Sequence, residues 1–205
     1  MKTWHLLVVL ALLGCAAPVR GQSGERTRPL PSGYGSLTQS DLALRVRDDD
    51  IEIWFIPLDY RIMPLLAVDT HKSLRQLLEN HRRSIDSVAS RAGVSSPGLA
   101  LVSFFGQRPD VRFDPQTVTL QIRNNVFRPL GFIPLNSKFT SQQLGVRDQA
   151  SAIYLFEEEI PVNDSFMMTY GTLTSEDWRN KLPTLDRERA RVSARSRTEP
   201  RDTAR

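Results

Sequence analysis

The chain has 205 residues, a formal net charge of +4 and a single cysteine. That length suits one domain with one good core, and a single cysteine excludes any internal disulfide. Residues 179–205 hold nine Lys or Arg against four Asp or Glu, whereas residues 22–178 hold 16 against 19, so the body of the chain is mildly acidic and carries no footprint for nucleic acid.

The amino terminus, Met1-Lys2-Thr3-Trp4-His5, is followed by an unbroken apolar run from Leu6 to Leu13. A short basic start and 7–15 apolar residues form the pattern of a secretory signal. A membrane span would need about 20 apolar residues, and Pro18 and Arg20 follow too soon. The run ends in Leu12-Leu13-Gly14-Cys15, which resembles the lipobox of bacterial lipoproteins. The resemblance implies that Leu12 and Leu13 fill apolar subsites of the lipoprotein signal peptidase and that Gly14 sits at the cut. It also implies that the Cys15 sulfur receives diacylglycerol, after which its freed amine can be acylated. Leu13 departs from the commonest form, which has Ala or Ser there. The resemblance covers the first 15 residues and says nothing about the mature fold. The alternative is ordinary cleavage before Gln22, giving a signal of residues 1–21 instead of 1–14.

Residues 15–33 read as a flexible linker, because Pro, Gly and Ser dominate and little can be buried. Residues 34–178 read as one β-rich domain. Leu42, Leu44 and Val46 alternate with polar or small neighbours, Asp48-Asp49-Asp50 supplies a turn, and Ile51–Ile56 returns as a second strand. Helical spacing of Leu74, Leu77, Leu78, Ile85, Val88 and Ala92 predicts an amphipathic helix over 69–93, capped by Asp69 or Thr70 and stopped by Gly93. Strands follow at Leu99–Phe105, Val118–Ile122, Phe127–Leu135, Ile153–Glu157 and Phe166–Tyr170. Pro129 and Pro134 put the Phe127–Leu135 stretch at a sheet edge. Trp54-Phe55-Ile56 and Phe104-Phe105 are apolar on both faces, so the helix is expected to cover one of them. The fold expected is a mainly β, Ig-like sandwich with the long helix packed on a sheet; a single antiparallel α+β sheet is the alternative.

Residues 179–205 read as a basic tail, partly helical and then disordered. Arg187, Arg189, Arg191, Arg195 and Arg197 crowd one short segment, with Ala190, Val192 and Ala194 too small to anchor it. Such a segment suits contact with an anionic surface, through phospholipid head groups or other envelope polyanions.

No chemistry-bearing constellation emerges. His71 and His81 lie ten residues apart, not at the i, i+4 spacing of a helical zinc pair. Asp48-Asp49-Asp50 lacks the spaced ligands and glycine of a calcium loop. Glu157-Glu158-Glu159 would end a strand as a charged edge that discourages aggregation. Ser103 sits in mid-strand, not on a nucleophile's turn. No cofactor, metal or catalytic residue is therefore assigned. The function expected is a non-catalytic cell-envelope lipoprotein acting as a binding or assembly module. It would hold the membrane through Cys15, face the periplasm from the outer membrane, and meet an envelope protein partner. A secreted or periplasmic ligand-binding carrier and an enzyme of unknown class are the alternatives.

Overall fold

A computed structural model of the chain describes residues 30–198. Cys15, the signal and most of the expected linker lie outside the described residues. After a one-turn helix α1 (Gln39–Leu42), strands β1 (Leu44–Arg47) and β2 (Ile51–Pro57) form a hairpin. The acidic turn joins them because Asp48 Oδ1 accepts from the amides of Asp50 and Ile51, both at 2.8 Å. Helix α2 (Val68–Arg91) follows, then β3 (Gly98–Gly106), β4 (Val111–Arg112), β5 (Val118–Ile122), β6 (Asn125–Phe127) and β7 (Pro129–Pro134). Helix α3 (Ser137–Ser141) leads to β8 (Gln143–Leu144), β9 (Gln149–Phe156), β10 (Met167–Tyr170) and β11 (Leu173–Ser175), and the chain closes with α4 (Trp178–Thr198).

The described strands make antiparallel sheets of five (β1-β2-β3-β9-β7), four (β11-β10-β5-β6) and two (β4-β8) strands. Period-two alternation gives the large sheet an inner face of Val46, Ile53, Phe55, Val102, Phe104, Ala152 and Tyr154, all buried. The four-stranded sheet packs on that face. Phe104 meets Tyr170 edge-on at 5.9 Å and Phe55 meets Phe166 at 6.3 Å. Buried polar groups here find partners, as they must; the Tyr154 hydroxyl donates to the Pro115 carbonyl at 3.0 Å, and burial pushes its pKa far up. The result is a β-sandwich-like arrangement with a helix on one sheet, and the single-sheet alternative falls. The proline-bearing strand β7 does stand at the edge of the five-stranded sheet.

Helix α2 lies on the outer face, against β7 and β9. The approach is close at Gly131, where a Cβ would come within 2.9 Å of Val88 Cγ1. Leu74, Ile85 and Ala89 are buried, while Leu77 and Leu78 are only half-buried at the margin. The cap residue is Ala67, without a side-chain cap, and Asp69 falls in the first turn instead. Gly93, at φ +71, ends the helix, letting the Val94 amide reach back to the Ala89 carbonyl at 3.0 Å.

Two expectations need correction. Residues 157–159 lie beyond the end of β9, the first two in a bend, so the three glutamates share no strand register. The basic tail is not a loose end up to residue 198: α4 runs unbroken and docks. Trp178, Leu185, Glu188 and Val192 are buried, against a segment that includes the Met63–Leu65 turn. Val192, expected to be too small to anchor the helix, is fully buried. The stripe was hidden because a carboxylate occupies one of its core positions.

Candidate binding surface

Helix α2 packs on β7 and β9, to one side of the five-stranded sheet. It shields the β7–β9 side of the outer face and leaves the β1–β2–β3 side partly open. Register brings Arg45, Trp54, Ser103 and Ser151 into one row across four strands, with Glu52 and Phe105 alongside. Their inward neighbours Val46, Ile53, Phe55 and Phe104 are the core, so these side chains must point outward.

The row is organised around Trp54. The Arg45 guanidinium lies over the indole, 4.0 Å from the ring centre. Phe105 tilts against the other flank at 5.3 Å between centroids. Indole Nε1 donates to Glu52 Oε1 at 2.6 Å. Cation–π and aromatic pairs of this kind contribute about 0.5–1.5 kcal/mol each, enough to hold one rotamer in a half-exposed ring. Beside the platform, the Ser103 and Ser151 hydroxyls share a bond of 2.8 Å, and Gln149 Nε2 donates to Ser151 at 2.9 Å. Ser103 is thus a buried, satisfied hydroxyl with no histidine among its hydrogen-bond partners. The sequence expectation that both faces would be covered holds at Ile56, which is buried, and fails at Trp54 and Phe105, which stay half-exposed. The two-sided apolar runs were the available signal; that α2 packs over β7 and β9 and not over them was not readable.

The tail arginines are placed differently from one another. Arg189 bonds Asp186 and Asn163, both at 2.6 Å. Arg191 pairs with Glu188 at 3.0 Å and donates to the Ser36 hydroxyl at 3.1 Å, and Arg195 donates to the Tyr34 carbonyl at 3.1 Å. Three of the five thus bind the fold itself. Arg187 and Arg197 bond only Thr184 and Ser193 of their own helix and keep their charge toward solvent. Sequence reasoning missed Glu188 and Ser36, whose link joins positions 152 residues apart.

One of the acidic turn's three charges is offset by Arg108, which meets Asp50 at 3.0 Å and Asp49 at 3.6 Å. Glu159 approaches Arg61 at 3.6 Å. His71 and His81 are separate, partly buried helix residues; burial, with Arg75 nearby, lowers the pKa of His71. Among the described residues no three His, Cys, Asp or Glu side chains gather where they could hold a metal ion, and no helix is long and apolar enough to cross a membrane. Comparisons with protein-family models, curated proteins and solved structures find no match to this chain.

Proposed function

We propose that the chain is a non-catalytic, membrane-tethered binding module of the cell envelope. Its tether would be a lipid on Cys15, and its working surface the open outer face of the five-stranded sheet. The observation that carries this reading is Trp54, half-exposed yet braced by Arg45, Phe105 and Glu52. A rigid aromatic anchor beside an arginine is the composition of an interface hot spot, because it brings large contact area at little entropic cost. The partner that fits is a protein offering an apolar pocket with an acidic rim toward Arg45 and Arg47.

The test is co-purification from envelope membranes after cross-linking. A partner captured by the native chain should be lost with Trp54→Ala, since truncating such an anchor costs at least about 2 kcal/mol of binding. Equal capture by the variant would remove the surface from consideration. Mass spectrometry addresses the tether separately. Cys15→Ser should release the chain from membranes or leave it uncut; a native amino terminus at Gln22 without acyl mass would rule the lipid out.

The basic helix supports a second contact in this reading, with anionic head groups. Arg187 and Arg197 are free charges on it, and the helix packs beside residues 34–36, where the chain arrives from the tether.

A further inference from the structure

The free edge of β7 is a poor template for an added peptide strand. Pro129 and Pro134 have no N–H to offer, and the register slips between Pro129 and Gly131. Between this edge and the last turns of α2 lies an open groove of about 640 Å³, within the range of small-ligand sites, roughly 300–1,000 Å³. Val88, Leu130 and Phe132 form its apolar wall, and Arg91, Arg128 and Gln116 its polar rim. No carboxylate lines it. Arg91 Nε donates only to the Ser87 carbonyl of its own helix, at 3.3 Å. Arg128 makes no hydrogen bond or ion pair with any described residue. Two guanidiniums thus face one groove of mixed polar and apolar lining without an anion. Three of the four last helix carbonyls are already capped, those of Val88, Ala89 and Ser90 accepting the amides of Ala92, Val94 and Gly93.

We propose that this groove binds a single-chain amphiphile with an anionic oxygen head. The head, a carboxylate or a phosphate ester, rests on Arg91 and Arg128, whose planar forks match either group. The chain lies along Val88, Leu130 and Phe132. The site is separate from the Trp54 surface and does not depend on lipidation of Cys15.

The experiment is calorimetric titration of the purified chain with decanoate and with decyl phosphate, each below its micelle-forming concentration, and with decanol as the uncharged control. Saturable binding is expected for at least one anion, and the tighter of the two identifies the head group. Arg91→Gln and Arg128→Gln should each weaken it roughly tenfold or more, the scale of one lost charge-assisted hydrogen bond. Ala92→Phe should block the groove. Arg82→Gln removes the same charge from the same helix away from the groove and should leave affinity unchanged. All four side chains are exposed, so thermal midpoints should match the native chain's and separate lost binding from lost folding. The proposal is overturned if neither anion binds, if decanol binds as tightly as the anions, or if both arginine variants bind like the native chain.

Discussion

Glu188 is the only charged side chain buried among the described residues, at 3 % exposure. It is tolerated there because its lone pairs are used: Oε1 accepts from the Ser36 amide at 2.8 Å and hydroxyl at 2.9 Å, and Oε2 meets Arg191 at 3.0 Å. Glu188→Ala would leave the Ser36 donors without their acceptor. It should cost about 1–3 kcal/mol in denaturant unfolding, and Glu188→Gln, which keeps an acceptor, should cost less. Equal losses would mean that the amide and hydroxyl bonds contribute nothing. Asp41 shows the same logic at the surface. The amide of Thr38 donates to it at 2.8 Å, as does the Thr38 hydroxyl, and together they hold its pKa below the ordinary aspartate value. A depressed folded pKa contributes stability at pH above the unfolded value, near 4, and that contribution fades as pH falls through the folded one. Asp41→Asn should therefore flatten the acid limb of a stability–pH curve and leave its slope near neutrality unchanged.

At the scale of elements, α2 was legible and its depth was not. Its apolar repeat predicts a helix over 69–93, close to the observed Val68–Arg91, because leucines at helical spacing read without knowledge of the partner sheet. Which leucines are core depends on where β7 and β9 pass beneath. Leu74→Ala should cost about 2–5 kcal/mol, and Leu77→Ala, at the margin of the contact, clearly less; a reversed order in melting experiments would refute the docking of α2. Helix α4 was misread for a chemical reason. Reading apolar residues alone along it gives Leu185 and Val192 with a charged residue between, which looks solvated until Ser36, 152 residues away, is seen to meet that charge. Deleting residues 184–198 should therefore destabilise the whole domain by removing Leu185 and Val192 from the core, whereas a solvated tail would be lost without effect on the melting point. The open Trp54 surface lay between these cases. Its aromatic content was plain in the sequence, but its exposure is decided by which strands the helix packs on, β7 and β9 and not β1 and β2.

For the whole molecule, charge separates into a mildly acidic body and a basic closing helix. Folding fixes part of that basic excess in place without cancelling it, since Arg189, Arg191 and Arg195 donate to the neutral Asn163, Ser36 and Tyr34 of the body. Those three guanidiniums keep their charge but are held to the fold, so Arg187 and Arg197 are the two of the five freest to contact an anionic head group. Replacing both Arg187 and Arg197 with Gln should weaken salt-sensitive binding to anionic vesicles by about 1 kcal/mol per charge, and the difference should vanish at high salt as the Debye length shrinks. The matching double change at Arg191 and Arg195 should act mainly on stability. If both pairs affect vesicle binding equally, the helix meets the membrane in another orientation.

The seating of residues 34–37 has a mechanical consequence. Leu37 bridges to Leu66 in parallel, its amide donating to the Leu65 carbonyl at 3.0 Å while its own carbonyl accepts from Ala67 at 2.8 Å. Gly35 lies so close to Leu65 that any Cβ would overlap that backbone, and Glu188 grips Ser36 from the other side. A tension applied to the amino terminus therefore meets this clasp before it reaches either sheet. Bonds in such a parallel seam are loaded in shear, several at once, instead of unzipping singly. Stretched from that end in a force spectrometer, the native chain should resist up to one early rupture, and Gly35→Ala should lower that first force while the later unfolding of the sandwich keeps its own.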